Sequence, residues 1–230
     1  MPEAAGTQVA IVDFEMGNLF SVKRACEQVG LQASITASVG EVAAADAVIL
    51  PGVGAFGDAM AALKRLGLVE VLREVAGSGK PLVGICLGMQ LLMSESYEFG
   101  CHQGLGLIEG KVVRFEGPRT GSASLKVPQV GWNRIWKTAT GGWDSSPLAG
   151  LRDGEFMYFV HSFYAKPVDE RVVVATSRYG HIEFCASLRR GNIFACQFHP
   201  ERSGLEGLKI YRNLARQIQR RTVREAVPHV

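Results

Sequence analysis

One cysteine of this sequence stands where a catalytic nucleophile would stand. Cys86 joins a short apolar run, residues 81–85, to residues 87–93, which have helical composition. Gly84 and Gly88 flank it in the G-x-nucleophile-x-G pattern of a strand-to-helix elbow. We expect these glycines because a Cβ at either position would collide with the backbone of so tight a turn. The alternative is an inert buried cysteine, the commoner state of this residue, and a base elsewhere in the chain must decide between the two.

The base that this nucleophile requires follows a second apolar strand near the end of the sequence. Residues 191–198 lead directly into His199, Pro200 and Glu201. The imidazole would carry the proton, the carboxylate would orient the imidazole, and the proline would fix the backbone between them. A histidine that merely closes a strand is the alternative for His199 alone. Since catalytic partners meet in the fold and not in the sequence, we predict a catalytic set of Cys86, His199 and Glu201.

A glycine-rich loop could complete the site with an oxyanion hole. It covers residues 51–58, directly after the apolar strand at residues 47–50. Such a loop could instead cradle a phosphate, but it lacks the Lys-Ser/Thr pair of a P-loop. A plain turn with glycines at positive φ is compatible with either function. Because loops after parallel strands gather at one sheet edge, we favour backbone N–H groups of Gly52 and Val53 acting with that of Leu87.

The composition is that of an ordinary soluble globular protein. The 230 residues are 47% hydrophobic and 20% charged, and 25 basic against 22 acidic residues give a net charge of +3, too balanced to imply nucleic acid. The five cysteines contain no C-x-x-C pair, so we expect no zinc site and no disulfide framework. A reduced, cytoplasmic setting fits this cysteine usage best, and we expect neither a signal peptide nor a membrane span.

The two halves of the chain differ in their predicted secondary structure. In the first half, apolar strands near residues 9–12, 32–36 and 47–50 alternate with helices, which indicates a parallel sheet covered on both faces. The strands predicted in the second half are residues 111–115, 127–136, 156–164, 171–176 and 184–188. We therefore predict an α/β fold, a doubly wound, mostly parallel sheet with an antiparallel extension, in a single domain over residues 1–230.

Together these motifs resemble the class I (triad) glutamine amidotransferase family, and within it the glutaminase subunits of imidazole glycerol phosphate synthase. The elbow and the His-Pro-Glu sequence mark the wider family, whereas residues 51–56 and 131–133 are specific to those subunits. The matching stretches are residues 17–19, 21–22, 51–56, 84–90, 104–107, 127–128, 131–133, 158–162 and 197–201. The departures are Gln129, where these subunits often have His, Arg202 in place of Lys, and Phe14-Glu15 in place of Tyr-Gly.

The resemblance implies hydrolysis of glutamine to glutamate and ammonia by Cys86, His199 and Glu201, without a metal or a cofactor. It also implies positions that hold the amino-acid end of the substrate, the last two through their backbone: Gln90, Glu98, His161 and Ser162. A carboxylate such as Glu98 suits a substrate ammonium, but an exposed loop charge fits its place in the sequence equally well.

The resemblance further implies a partner, because free ammonia would be lost by protonation in water. That partner is a (β/α)8 cyclase subunit, which forms a heterodimer with the glutaminase and makes imidazole glycerol phosphate and AICAR in histidine biosynthesis. We expect the docking face at Asn18, Trp132 and Arg202, and the departures at Gln129 and Arg202 to affect only the details of docking. We also expect low glutaminase activity of the isolated chain, because a glycine-containing oxyanion loop can rest in an inactive conformation.

Two other functions stay open on the sequence alone. One is the glutaminase of a different class I amidotransferase, serving anthranilate, purine or pyridoxal phosphate synthesis, against which residues 51–56 and 131–133 argue. The other is a non-catalytic binding module of the same fold, against which the intact set of Cys86, His199 and Glu201 argues.

Overall fold

The structure is a computed structural model that describes residues 7–116, 125–139 and 142–226, with side chains described up to residue 221. The strands are β1 (Gln8–Val12), β2 (Gln32–Thr36), β3 (Ala47–Gly52), β4 (Leu82–Cys86), β5 (Met93–Ser96), β6 (His102–Gln103), β7 (Ile108–Arg114), β8 (Gln129–Lys137), β9 (Glu155–His161), β10 (Phe163–Pro167), β11 (Val173–Tyr179), β12 (Ile182–Arg190) and β13 (Ile193–Cys196). The α-helices are α1 (Leu19–Gln28), α2 (Val39–Ala44), α3 (Phe56–Arg65), α4 (Leu68–Gly77), α5 (Leu87–Leu91) and α6 (Gly204–Ala226). The ends of the predicted domain, residues 1–6 and 227–230, lie outside the described residues. None of the described helices is both long and apolar enough to cross a membrane.

The main sheet has nine strands in the order β2-β1-β3-β4-β13-β12-β11-β8-β9. The strands from β2 to β13 in this order are parallel. Antiparallel pairing begins between β13 and β12 and continues to β9. The predicted fold class, a doubly wound sheet with an antiparallel extension, is confirmed.

Alternate residues of the parallel strands face two different layers of helices. In β1, Val9 and Ile11 pack in the cluster that contains side chains of α1 and α6, whereas Ala10 and Val12 pack with side chains of α2, α3 and α4. Strands buried on both faces must be apolar along their whole length, and β3 and β4 are buried at every position. The arrangement brings the carboxyl ends of β1, β3, β4 and β13 to one edge, where the predicted site residues lie.

A second sheet of four strands, in the order β10-β7-β5-β6, was not predicted. The strand predicted at residues 156–164 is two strands, β9 and β10, which separate at Ser162 and belong to different sheets. The strand predicted at residues 111–115 overlaps β7, which begins three residues earlier and ends at Arg114, and it pairs with β10, so it does not extend the main sheet. The local sequence pattern predicts strands but not their distant partners, which is why the prediction placed all of them in one sheet.

Helix α5 is shorter than the helix predicted over residues 87–93. It ends at Leu91, whose carbonyl accepts a hydrogen bond from the N–H of Leu105 at 2.8 Å. Gly104 permits this close approach, because an ideal Cβ there would lie 2.2 Å from the carbonyl oxygen of Met93. The predicted helix was wrong at residues 92 and 93, because the N–H of Leu105 occupies the Leu91 carbonyl to which the next turn of the helix would have bonded.

Candidate active site

Cys86 lies at the join between β4 and α5 in a strained backbone conformation. Its φ is 55° and its ψ is −110°, a region that a residue with a Cβ occupies only when its surroundings impose it. An ideal Cβ on Gly88 would lie 1.7 Å from the carbonyl oxygen of Leu50, and one on Gly84 would lie 3.0 Å from the carbonyl carbon of Gly88. The prediction that both flanking positions require glycine is confirmed.

The turn that carries His199 is fixed to strand β9 by its backbone. The N–H of His199 donates to the carbonyl of Tyr158 at 2.9 Å. The hydroxyl of Ser203 donates to the carbonyl of His199 at 2.7 Å and accepts from the N–H of Tyr158 at 3.0 Å. Because β13 lies beside β4, with Cys196 opposite Ile85, this turn emerges next to the cysteine elbow.

The side chains of His199 and Glu201 form a buried pair. Nδ1–H of His199 donates to Oε1 of Glu201 at 2.8 Å, and the two side chains are 5% and 1% exposed. Burial disfavours the charged imidazole, but the charge of Cys86 and the charge and hydrogen bond of Glu201 outweigh it and raise the pKa of His199 to about 10. An imidazolium beside the sulfur is the state that stabilises a thiolate nucleophile.

A cavity of about 250 Å³ opens in front of the cysteine. The predicted residues that line it are Val53, Cys86, Leu87, Gln90, Glu98, His161 and Ser162. The buried pair of His199 and Glu201 lies outside this lining, and Gly52 is the residue opposite Cys86 in the β3–β4 register. The structure thus gathers the predicted catalytic, oxyanion and substrate-binding residues around one small cavity.

Gln90 is a buried residue whose amide links several parts of the site. Its Nε2 donates to the carbonyl of Phe163 at 2.9 Å and to Oε1 of Gln197 at 3.1 Å. Gln197 in turn places its Nε2 3.7 Å from the sulfur of Cys86. Sequence reasoning missed Gln197 as a contact of the nucleophile, although its place two residues before His199 was a signal that could have found it.

Glu98 is buried, so the alternative of an exposed loop charge is wrong. Its Oε2 accepts a hydrogen bond from the N–H of Phe56, at the start of α3, at 2.7 Å. Burial raises the pKa of Glu98, against the opposing effects of the Phe56 N–H and of His102. Because burial outweighs these two effects, Glu98 has no strong cationic partner among the described residues. Glu98 is also one of the residues that line the cavity.

His161 and Ser162 lie where β9 and β10 separate. Nδ1–H of His161 donates to the carbonyl of Phe163 at 2.8 Å. Burial lowers the pKa of His161 to about 4, since it outweighs the hydrogen bond to Phe163, which raises this pKa. The charge of His199 lowers the pKa further. The carbonyl of Ser162 accepts from the N–H of Phe115 at 3.0 Å. His161 is therefore neutral, and both residues are held firmly by their neighbours.

The glycine-rich loop after β3 packs closely against Phe14 and Leu87, and part of it stays exposed to solvent. An ideal Cβ on Gly52 would lie 2.9 Å from Cζ of Phe14 and 3.2 Å from Cβ of Leu87. Gly54 has a φ of 107°, and Val53 between them is 42% exposed. Leu87 is the first residue of α5, so its N–H belongs to the first turn, which has no partner within the helix.

The predicted docking residues lie near this edge of the sheet. Trp132 and Arg202 are exposed and share Tyr158 as a neighbour, with a ring-centroid distance of 6.1 Å for Trp132 and a guanidinium-to-ring distance of 5.8 Å for Arg202. Asn18 precedes α1 and accepts a hydrogen bond from the hydroxyl of Ser21 at 2.9 Å. The structure brings Trp132 and Arg202 together around Tyr158, and it places Asn18 on the neighbouring loop after β1.

The outward side of β8 and β9 carries more aromatic and arginine side chains than the prediction named. We call it the aromatic face, and its residues are Val130, Trp132, Arg134, Trp136, Phe156 and Tyr158. The guanidinium of Arg134 lies 4.4 Å from the ring centroid of Phe156. The alternation of residues in β8 could have predicted this face. Gln129, by contrast, is buried opposite His161, so it does not belong to this exposed face.

This fold and this site agree with a family match over most of the sequence. The model of the family "glutamine amidotransferase class-I" matches residues 10–218. The chain belongs to the class I glutamine amidotransferase family.

Two relatives narrow this family membership. The chain is 50% identical over 208 residues to imidazole glycerol phosphate synthase subunit HisH of Geobacter metallireducens, with 90% of this chain and 97% of the relative covered. It is 46% identical over 207 residues to the subunit of the same name from Rhodopirellula baltica, with 90% and 96% covered. These identities place the chain among the HisH subunits of the family. A solved structure of PurLQS from Thermotoga maritima has the same fold, with a TM-score of 0.69 at 19% identity over 93% of this chain and 100% of the other.

Proposed function

We propose that this chain is the glutaminase subunit of an imidazole glycerol phosphate synthase and acts through Cys86, His199 and Glu201. The observation that carries this proposal is the strained elbow that presents the Cys86 sulfur to a cavity beside the bonded pair of His199 and Glu201. Glutamine is its substrate, and glutamate and ammonia are its products. The single domain extends over residues 1–230 and works in the cytoplasm.

In the first half of the reaction, glutamine acylates the enzyme. The thiolate of Cys86 attacks the carboxamide carbon, a C–S bond forms, and the carbonyl oxygen becomes an oxyanion. The N–H of Leu87 and those of Gly52 and Val53 hold that oxyanion. The imidazolium of His199 gives a proton to the leaving nitrogen, the C–N bond breaks, and ammonia departs.

In the second half, water releases glutamate. His199, now neutral, takes a proton from water, and the resulting hydroxide attacks the thioester carbon. The C–S bond breaks, glutamate leaves, and the regenerated thiolate of Cys86 again faces an imidazolium. Glu201 keeps Nδ1 of the imidazole protonated throughout, so that Nε2 carries the proton that moves.

Four residues hold the amino-acid end of glutamine in the cavity. Glu98 is the counter-ion of the substrate ammonium, and this cation restores the charged carboxylate that burial disfavours. The backbone at His161 and Ser162 holds the substrate carboxylate, and Gln90 fixes this wall through its bond to the carbonyl of Phe163. None of these four residues needs a metal or a cofactor to hold the substrate.

The partner that consumes the ammonia is a (β/α)8 cyclase subunit, which forms imidazole glycerol phosphate and AICAR. Two observations support this pairing. The relatives are named as subunits of a synthase, and the aromatic face is exposed on the strand that also lines the cavity, since Val160 of β9 is a cavity residue. A subunit docked on this face at Trp132, and beside it at Arg202 and Asn18, would cover the mouth of the cavity and keep ammonia from water.

The test is glutamate release from glutamine by the purified chain, alone and with a cognate cyclase subunit plus its ribulose phosphate substrate. We expect low activity alone and a large rise when both are added. Cys86→Ala should abolish the activity, by roughly a thousandfold or more. The matched control is Cys101→Ala, which removes an exposed thiol and should change nothing.

Other outcomes would overturn the proposal in different ways. If glutamate release rose only with an anthranilate, purine or pyridoxal phosphate synthase, that synthase and not the cyclase would be the partner of this chain. No glutamate release with any partner would favour a non-catalytic binding module.

A further inference from the structure

Two polar groups behind the catalytic pair are buried without a hydrogen-bond partner among the described residues. One is Oε2 of Glu201, whose other oxygen is bonded to His199. The second is the hydroxyl of Tyr211, a residue with no exposed surface. A carboxylate oxygen only accepts, and a protonated phenol donates. Because a buried polar group without a partner is costly, each of these groups needs what the other offers.

Helix α6 places Tyr211 behind the turn that carries Glu201. An ideal Cβ on Gly207 would lie 2.0 Å from the carbonyl oxygen of Pro200 and 2.8 Å from Cβ of Ser203. The helix backbone therefore lies directly against the turn at Gly207. Tyr211 is four residues further along the helix and so points from the same helix face. It packs in the buried cluster that also contains Cys86.

The ionisable groups that face Tyr211 come from three elements: Glu201 of the turn, Cys26 of α1 and Cys196 of β13. Burial raises the pKa of Cys26 to about 12 and that of Cys196 well above its ordinary value, so both thiols are neutral. Burial also raises the pKa of Tyr211 well above its ordinary value, and the charge of Glu201 is the next cause. The phenol therefore keeps its proton, and the charge that it faces is that of Glu201.

We propose that Tyr211 is a positioning residue, whose hydroxyl is linked to Oε2 of Glu201 through one bridging water, since the two atoms are not bonded to each other directly. This inference rests on the proposed function and adds a fourth residue to the machinery of the same site. A carboxylate held at one oxygen can still rotate about its last torsion, whereas one held at both oxygens cannot. Tyr211 thus keeps Oε1 of Glu201 aligned with Nδ1 of His199 while the imidazole changes charge during each cycle, although it touches neither the substrate nor the sulfur.

The test is Tyr211→Phe, which removes the hydroxyl and keeps the ring in place. Assayed with the cyclase subunit and its substrate, we expect kcat to fall roughly three- to tenfold with the KM for glutamine unchanged. The hydrogen bond to Glu201 helps to raise the pKa of His199, so its loosening should move the basic limb of the pH profile to lower pH. Tyr179→Phe is the matched control, because it removes a phenol bonded to the Lys126 carbonyl, and it should leave kcat and the pH profile unchanged.

A hydroxyl that serves only packing gives a different result. Tyr211→Phe would then leave kcat and the basic limb unchanged, and thermal stability would rise because an unpaired buried hydroxyl is gone. That result, or a basic limb shifted upward, would overturn the inference. In a Glu201→Gln background the effect of Tyr211→Phe on kcat should disappear, and a full effect there would also overturn it. Wild-type activity in the same assay separates this failure from failure of the proposed function itself.

Discussion

The two sides of the active site are held in different ways. On the histidine side, hydrogen bonds tie His199 to strand β9, to Ser203 and to Glu201, and the side chains of the last two are buried. On the oxyanion side, residues 52–54 are positioned by close packing of glycines, and Val53 is exposed to solvent. Directional bonds fix one geometry, whereas a loop with a glycine at positive φ can adopt several.

This difference suggests where control of the enzyme lies. The histidine side is preorganised, and its conformation should be the same with or without a partner. If the proposed function holds, docking of the cyclase shifts the oxyanion side from an inactive to an active conformation. Gly54 marks the contact through which such a shift could pass, because an ideal Cβ there would lie 2.4 Å from Cε of Met16, on the loop that leads to Asn18. Variants on each side separate the two contributions.

The largest effect should come from Gly88→Ala. A methyl group there would lie 1.7 Å from the carbonyl oxygen of Leu50, which is backbone of β3 and cannot move away without displacing the loop that follows. We expect a loss of about 4 kcal/mol or more of folding free energy, or failure to fold. Gly77→Ala is the control, since its Cβ would meet nothing within 4 Å near the end of α4. Denaturant unfolding measures both, and equal stabilities of the two variants would contradict this account of the elbow.

The second effect, on activity, should come from Gly54→Ala. The backbone φ of 107° is strained for alanine, so the loop would be driven to another conformation and its N–H groups would leave the oxyanion. We expect kcat with the cyclase present to fall roughly tenfold, below the effect of removing an oxyanion donor outright. Gly106→Ala is the control, since it also places alanine at a positive φ, of 68°, away from the cavity lining. If both variants lost the same activity, the effect would be one of general strain and the loop would have no special role.

Much of this site could be predicted from the sequence because its signals are local. The glycines at 84 and 88 and the proline at 200 are backbone requirements that show in the residue types themselves. The second sheet, the early end of α5 and the contact of Gln197 with Cys86 depend on segments far away in the chain, and periodicity carries no information about them. Glu98 shows the same limit, since the N–H that its buried carboxylate accepts from belongs to Phe56, 42 residues earlier in the chain.

A smaller, pH-dependent effect should distinguish His199 from His161. The pKa of His199 is raised from 6.5 to about 10, so its stabilising contribution is full below pH 6.5 and is lost as pH rises to 10. The pKa of His161 is lowered from 6.5 to about 4, so the folded state resists its charging and stability falls as pH drops from 6.5 to 4.

Titration of the two imidazoles by NMR measures both shifts. Cys86→Ala should lower the pKa of His199, because the charge of the sulfur is the largest of the causes that raise it. It should leave the titration of His161 near its wild-type value. An unchanged pKa of His199 in this variant would mean that Glu201 alone sustains it, and that the sulfur is not its partner.

The smallest effect should come from Ser203→Ala, which loosens the histidine side without touching the chemistry. The hydroxyl donates to the carbonyl of His199 and accepts from the N–H of Tyr158, so its loss removes the partner of that N–H and leaves the His199 carbonyl with the N–H of Arg202 at 3.0 Å. We expect a loss of about 1–3 kcal/mol of folding free energy. Ser177→Ala is the matched control, since that buried hydroxyl donates to the carbonyl of Arg134, away from the catalytic pair.

If hydrogen bonds preorganise the histidine side, kcat should fall for Ser203→Ala alone, by about threefold. Equal kcat in the two variants, measured beside their stabilities, would show that β9 holds His199 well enough without this serine.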